Sequence, residues 1–186
     1  RDLVLGMDGR PVTIRTLDLG ADKADSTGLV MDDEENPALG LRGVRLCLTY
    51  PDVFRDQLRA ILRATAYGEV RVLIPMVSHA DELRACRQII DRCWSELESE
   101  GHALGQRPEL GAMIEVPAAA LAIDTLLPHI TFCSVGTNDL IQYLLAADRG
   151  NDALGSLWSP EHPAVRFVLG EVFRRCREAG KQVAVC

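Results

Sequence analysis

Apolar residues along the chain cluster into short continuous runs, each followed by a segment with helical spacing. Five of these runs predict strands, at residues 11–18, 70–76, 110–114, 130–135 and 182–186. Continuous apolar runs, rather than alternating ones, are typical of parallel strands that are covered on both faces. A short segment at residues 39–45 is a candidate for a sixth strand.

Helical patterns with clear start and stop signals lie between these runs. Pro51 is expected at a first helical position, with an apolar stripe that continues to Gly68. Further helices are expected from a cap at Ser78 to Gly101, from Pro117 to just before Pro128, from a cap at Thr137 or Asn138 to Leu145, and from Pro163 to Gly180. The polar stretch at residues 20–37 is predicted to be a long surface loop.

The alternation of strands and helices predicts βαβ units and a parallel sheet. An open doubly wound sheet and a closed barrel both agree with this order. The chain has no GxGxxG after a strand and no GxxxxGK[ST], so it favours the barrel over a nucleotide-binding sheet. A (β/α)8 TIM barrel needs eight strands, so residues 1–186 are expected to be one domain, an incomplete barrel. The start at Arg1 without Met and the end at Cys186 also suggest a piece of a longer protein.

Composition excludes several classes of protein. The chain has 186 residues with 20 Lys+Arg, 27 Asp+Glu and a net charge of −7, which opposes a nucleic-acid groove because such grooves are basic. No apolar run approaches the ~18 residues of a membrane helix, so no membrane span is expected. The six cysteines include no CxxC pair, which disfavours zinc and favours small buried thiols in a reducing cytoplasm.

Carboxylates follow two of the predicted strands, where barrel enzymes carry their chemistry. Glu115 and Asp139 are about one βα unit apart, so their strands are expected to be neighbours. Two carboxylates on one rim are typical of a Mg²⁺ site. The alternative is that both carboxylates only favour the dipoles of the helices that follow them.

Arginines are also expected around this rim, namely Arg15, Arg42, Arg45 and Arg149. Arginine binds phosphate and carboxylate groups through two parallel hydrogen bonds. Any one arginine is more often part of a surface ion pair. Several of them beside a divalent-cation site predict a small substrate with two anionic groups.

Specific strings along the whole chain resemble one family. They are VTIRTLDLGADK, ENPALGLRGVRL, QLRAILRA, LIPMV, GAMIEVPAAA, SVGTNDLIQYLLAADRGND and VAVC. In this order they are similar to the phosphoenolpyruvate-protein phosphotransferase family, Enzyme I of the bacterial sugar phosphotransferase system. The resemblance implies a (β/α)8 barrel that binds phosphoenolpyruvate and Mg²⁺ and forms a homodimer.

The resemblance also implies roles for individual residues. Four of them would bind the substrate, and these are Arg15, Arg42, Asn138 and Arg149. Glu115 and Asp139 would hold Mg²⁺. Cys186 would be the acid–base group at the methylene carbon of the substrate.

The family passes a phosphoryl group from phosphoenolpyruvate to its own histidine and on to a histidine phosphocarrier protein, and it releases pyruvate. That histidine belongs to an N-terminal domain with a Gly-rich SH motif, which this chain lacks. Two alternatives stay open. One is a Mg²⁺-dependent lyase or aldolase barrel that works through an enolate, and the other is a non-catalytic dimerisation or sensing module.

Overall fold

The computed structural model describes residues 1–19 and 34–186, so most of the predicted loop at residues 20–37 lies outside the described residues. Five strands form one parallel sheet in the order in which they follow one another along the chain. The strands are β1 (Val12–Arg15), β2 (Val70–Ile74), β3 (Glu109–Ile114), β4 (Phe132–Val135) and β5 (Gln182–Val185). This arrangement confirms the α/β class, the parallel sheet and the expected pairing of β3 with β4.

Helices connect the strands as the alternation predicts. In the described part of the chain they are α1 (Asp2–Gly6), α2 (Val44–Thr49), α3 (Pro51–Ala64), α4 (Ala80–Ser99), α5 (Pro117–Leu121), α6 (Thr137–Leu145) and α7 (Pro163–Glu178). Pro51 and Pro163 stand at the start of α3 and α7, as expected, because proline lacks the N–H that a first helical residue would leave unpaired. No helix among the described residues is both long and apolar enough to cross a membrane.

The prediction of a sixth strand at residues 39–45 is wrong. A 3₁₀ turn at Pro37–Leu39 precedes Gly43, and α2 begins directly after that glycine. Gly43 has a φ of 56°, and a Cβ atom there would lie 2.6 Å from the Cβ atom of Met76. The left-handed backbone conformation and the close contact both favour glycine at this position. The segment is therefore a turn that leads into a helix.

Three predicted helix ends are also wrong in detail. The N-cap of α4 is His79 rather than Ser78, and the Glu82 carboxylate accepts hydrogen bonds from both of their amides. The N-cap of α6 is Gly136, so Thr137 is already helical. The Ala-rich helix α5 ends at Leu121, and 3₁₀ turns at Ile123–Thr125 and Leu127–His129 continue the connection.

Side chains alternate between the two faces of the sheet. One face packs against the helices and forms the main core, through residues such as Val72, Ile74, Leu110, Ala112, Ile114, Cys133 and Val135. The opposite face carries a small apolar cluster of Leu73, Met113 and Phe132, and we call it the inner face. Five of the six cysteines are buried, as predicted, and Cys186 is exposed.

The sheet curves toward its inner face. Arg71 on β2 donates a hydrogen bond of 3.0 Å to the side-chain oxygen of Gln182 on β5. Two strands separate these residues, and in a flat sheet β2 and β5 would lie about 14 Å apart. Side chains that stand upright on such a sheet would not meet, so the contact indicates strong curvature.

Candidate functional site

A cavity of about 200 Å³ lies at the carboxyl ends of the strands. It is lined by Arg15, Asp18, Arg42, Met113, Glu115, Gly136, Thr137, Asn138, Asp139, Arg149 and Cys186. The sequence singles out eight residues for this rim, and the cavity brings together seven of them: Arg15, Arg42, Glu115, Asn138, Asp139, Arg149 and Cys186. Their roles stay predictions.

Glu115 follows β3 and is only 1% exposed. Its Oε1 atom accepts a 2.7 Å hydrogen bond from the Met76 amide, and Met76 itself has a φ of 57°. Burial, together with the charges of Asp139 and Asp18, raises the pKa of Glu115 to about 7, although the Met76 amide and Arg42 oppose this shift. Near neutral pH the protonated and the charged forms of this carboxyl group are therefore both populated.

Gly136 makes room for the Glu115 carboxylate. A Cβ atom at Gly136 would lie 2.6 Å from Glu115 Oε2 and 2.9 Å from Glu115 Cβ. These distances are shorter than real Cβ contacts allow. Any larger residue at this turn would therefore push the carboxylate out of its position.

Arg42 joins three elements at the rim. Its Nε and Nη2 atoms donate to the two oxygens of Asp18 at 3.0 and 2.9 Å, which is a two-point contact. Nη2 also donates to Asp139 Oδ2 at 3.2 Å, and Nη1 donates to the Tyr143 hydroxyl at 3.2 Å. Burial lowers the pKa of Arg42, but the hydrogen bond and charge of Asp18 outweigh burial and keep the guanidinium charged.

The three carboxylates of the site differ in their free oxygens. Asp18, Glu115 and Asp139 have oxygens within 4.8 Å of one another. Arg42 occupies both oxygens of Asp18. Among the described residues, the buried Asp139 Oδ1 accepts no hydrogen bond and has only an ion-pair contact of 3.5 Å with Arg149. Glu115 Oε2 accepts none from the described residues either. Glu115 and Asp139 are therefore the two that offer an oxygen to a cation.

The other predicted arginines differ in their surroundings. Arg15 is exposed, with no carboxylate of the described residues within 4.0 Å, and its Nη1 atom lies 3.9 Å from the sulfur of Met113. Arg149 is also exposed and approaches Asp139 Oδ1 to 3.5 Å. Arg45 instead donates to the carbonyls of Leu39 and Gly40 and does not line the cavity. The prediction that Arg45 belongs to the rim site is therefore wrong.

Cys186 follows β5, and its backbone is fixed by the next element of the rim. The carbonyl of Cys186 accepts hydrogen bonds from the Thr137 amide at 3.1 Å and the Thr137 hydroxyl at 2.8 Å. Its Sγ atom lies 3.6 Å from the Ser134 hydroxyl and from the Val135 carbonyl oxygen, and the residue as a whole is exposed. The thiol is thereby held at the cavity wall.

Two contributors to this site have no role assigned from the sequence, although Asp18 is recognisable there as a strand-end residue. Asp18 stands in the same strand-end string as Arg15, and its position could have indicated that it is a partner for an arginine. Tyr143 lies on α6 and meets residues about a hundred positions away. No local signal in the sequence distinguishes it from a core aromatic residue.

Comparisons with known proteins show the family of this chain. A family model described as the PEP-binding domain of PEP-utilising enzymes matches residues 1–186. The chain is 46% identical, over its whole length, to the phosphoenolpyruvate-protein phosphotransferase of Cupriavidus necator and 42% identical, over 97% of its length, to that of Priestia megaterium. It covers only 32% and 31% of these proteins, or about a third of their length.

A solved structure supports the architecture alone. A citrate lyase from Burkholderia xenovorans aligns with a TM-score of 0.53 at 23% identity, over 70% of this chain and 40% of the lyase. Identity at this level shows a shared fold and carries nothing about the reaction. The family match spans every described strand and the whole rim site. The chain belongs to the family of PEP-binding domains of PEP-utilising enzymes.

Proposed function

We propose that this chain is the substrate-binding part of a phosphotransferase that moves the phosphoryl group of phosphoenolpyruvate to a protein histidine and then to a histidine phosphocarrier protein. The names of the two relatives and their identity across the chain support this assignment. The observation that carries it is the rim cavity, where arginines, carboxylates with free oxygens and an exposed thiol converge. The acceptor histidine would lie in the part of the relatives that this chain does not cover.

The proposal includes a complete (β/α)8 barrel in the longer protein. Five strands in sequence order, a curved sheet and a site at the carboxyl ends are what such a barrel requires. The remaining strands would close the sheet between β5 and β1. A homodimer and a cytoplasmic location are parts of the same proposal.

Arg15 and Arg149 suit the two anionic ends of phosphoenolpyruvate. Both guanidinium groups are exposed at the cavity, and Arg15 has no carboxylate partner among the described residues. Arginine offers two parallel N–H donors to phosphate or carboxylate oxygens. Asn138 is exposed on the first turn of α6 and would add a neutral donor to the phosphate, and Arg42 would add its remaining N–H.

The residues present fit a divalent cation. Glu115 Oε2 and Asp139 Oδ1 are the free oxygens, and hard oxygen ligands are those that Mg²⁺ prefers. When bound, Mg²⁺ would neutralise substrate oxygens as charge moves during phosphoryl transfer. Glu115 and Asp139 would hold it, whereas Asp18 would stay with Arg42.

Cys186 would supply the proton that completes pyruvate. Transfer breaks the bond between phosphorus and the enol oxygen, and the electron pair stays on the organic fragment as an enolate. The methylene carbon of that enolate then takes a proton from the Cys186 thiol, which becomes a thiolate. The exposed sulfur at the cavity wall is suitably placed for this role.

The decisive experiment uses the full-length protein with phosphoenolpyruvate, Mg²⁺ and a histidine phosphocarrier protein. Pyruvate is measured through lactate dehydrogenase, and phosphohistidine through ³¹P NMR. We expect continuous pyruvate release only with the carrier, in step with its phosphorylation. Continuous release without the carrier would favour the lyase or aldolase alternative, and no release under either condition would favour the non-catalytic module.

Calorimetry tests the metal role separately. Mg²⁺ and phosphoenolpyruvate should each tighten the binding of the other, because such coupling is reciprocal. Glu115→Gln should remove the coupling, which is typically about 5–150-fold. Glu109→Gln, at the opposite end of β3, is the matched control and should keep it. Equal substrate affinity with and without Mg²⁺ in the unmodified protein would remove Glu115 and Asp139 from this role.

A further inference from the structure

Tyr143 makes two polar contacts that bind one segment to the rim. Its hydroxyl donates to the Ala38 carbonyl oxygen and accepts from Arg42 Nη1 at 3.2 Å. Ala38 lies in the 3₁₀ turn that leads to Arg42. Tyr143 therefore holds both the backbone before Arg42 and the tip of the Arg42 side chain.

The direction of these hydrogen bonds is fixed by chemistry. A carbonyl oxygen can only accept, so the hydroxyl proton points to Ala38. The oxygen lone pairs are then left for the guanidinium, which can only donate. Burial raises the pKa of Tyr143 above its ordinary value, so the hydroxyl keeps its proton at neutral pH and the pattern persists.

Arg42 has few donors to spare. A guanidinium carries five N–H groups, and four of them are used by Asp18, Asp139 and Tyr143. One N–H on Nη1 has no partner among the described residues. Asp18 fixes one edge of the planar group and Tyr143 fixes the other, so the direction of this last N–H is set by these two contacts. Arg42 lines the cavity.

We propose that Tyr143 is a positioning residue that orients Arg42 toward the substrate phosphate and keeps it off the free oxygen of Asp139. Without the hydroxyl, Nη1 has two unpaired N–H groups in a half-buried place. Among the described residues Asp139 Oδ1 accepts no hydrogen bond, and its ion pair with the exposed Arg149 is 3.5 Å long, so this oxygen can still accept from them. Arg42 would then mask the oxygen that is proposed to hold Mg²⁺. The idea rests on the proposed function.

The test compares Tyr143→Phe with Tyr67→Phe in the full-length protein. Tyr67 lies in the 3₁₀ turn just before β2, at the other end of the sheet, and is 46% exposed. We expect phosphoenolpyruvate affinity, measured by calorimetry with Mg²⁺, to fall about 10–100-fold in Tyr143→Phe, as for a lost hydrogen bond to a charged group. Tyr67→Phe should bind like the unmodified protein.

A double-mutant cycle separates positioning from simple stabilisation. If Tyr143 acts through Arg42, Tyr143→Phe should weaken binding less than about threefold when Arg42→Lys is already present, because coupled residues are not additive. A merely structural role would lower the unfolding temperature and give additive losses in affinity. Additive losses, or unchanged affinity in Tyr143→Phe, would overturn the proposal.

A measurement on the substrate-free protein tests the positioning role of Tyr143 independently of the proposed function. The ¹⁵N signal of Arg42 Nε–H, assigned through its loss in Arg42→Lys, should shift and exchange faster with water in Tyr143→Phe only. If the unmodified protein binds no phosphoenolpyruvate, the proposed function fails, and an unchanged signal in Tyr143→Phe would still refute the positioning role.

Discussion

Charged side chains at the two ends of the inner face differ in how completely they are paired. At the amino ends of the strands, Arg71 donates to Glu69 and Gln182 and lies 3.0 Å from Glu109. Its guanidinium also lies 5.7 Å from the centre of the Phe132 ring, within the range of a cation–π contact. Arg71, Glu69 and Glu109 are thus paired with one another at this end.

The carboxyl ends leave charges and acceptors incomplete. Among the described residues, Arg15 has no carboxylate partner, and the buried Asp139 Oδ1 accepts no hydrogen bond although Arg149 Nη1 lies 3.5 Å away. Glu115 has a raised pKa. Buried polar groups are normally satisfied, and the unsatisfied Asp139 Oδ1 therefore agrees with the proposed function, in which a ligand completes the bonding at this end. Under that proposal, residues at the amino ends serve stability and residues at the carboxyl ends serve binding.

The largest expected effect comes from Cys186→Ala. General acid catalysis typically contributes about 10²–10⁴-fold, so pyruvate formation in the full-length protein should fall by that order while phosphoenolpyruvate still binds. Exchange of solvent protons into the methyl group of pyruvate should be lost as well. The buried Cys93 on α4 gives the control, and Cys93→Ala should keep both activities. Normal proton exchange in Cys186→Ala would assign the acid to another group.

Glu115 should titrate near neutrality. Its pKa is raised to about 7, so between about pH 4.5 and 7 the folded state binds more protons here than the unfolded chain, and stability falls as pH rises. The full loss is about 3 kcal/mol above that window. Infrared spectroscopy should show a protonated carboxyl band that disappears with a midpoint near pH 7 and is missing in Glu115→Gln. A band that disappears near pH 4 would contradict the burial argument.

Arg15→Gln should weaken substrate binding without unfolding the protein. A charge-assisted hydrogen bond is worth about 1.5–3 kcal/mol, so kcat/KM for phosphoenolpyruvate should fall about 10–100-fold. The guanidinium has no carboxylate partner among the described residues, so the unfolding temperature should stay close to its original value. Unchanged kinetics would place the substrate elsewhere.

The smallest effect is expected from the matching change at the other end, Arg71→Gln. Exposed or half-exposed ion pairs contribute about 0–1 kcal/mol each, so the variant should be slightly less stable in urea. Its kcat/KM should equal that of the unmodified protein. A clear loss of activity in Arg71→Gln would erase the distinction between the two ends.

Much of the fold could be predicted because its signals are local. Continuous apolar runs mark β2, β3 and β4, and prolines mark the starts of α3 and α7. The prediction of a strand at residues 39–45 was wrong because a Gly- and Leu-rich string is compatible with either a short strand or a turn. Only the packing of Gly43 against Met76 decides between them.

The site was predictable as a set of residues but not as a network. The strand-end rule placed Glu115, Asp139 and Cys186 on one rim, where the structure has them. The strand-end rule does not predict which carboxylate pairs with Arg42. That choice depends on Asp18 and Tyr143, whose approach to Arg42 is set by tertiary packing rather than by spacing along the chain.

The positions of the cysteines allow local unfolding of this domain to be followed by thiol modification. Cys186 is exposed, whereas the other five cysteines are buried within the core. A colourless reagent that turns yellow on reaction with thiols should therefore modify Cys186 at once and the others only when the structure opens. Native proteins open region by region, at rates set by local stability. In variants that keep one buried cysteine each, the rate of the slow reaction would report how fast α2, α4, β4 or α7 opens.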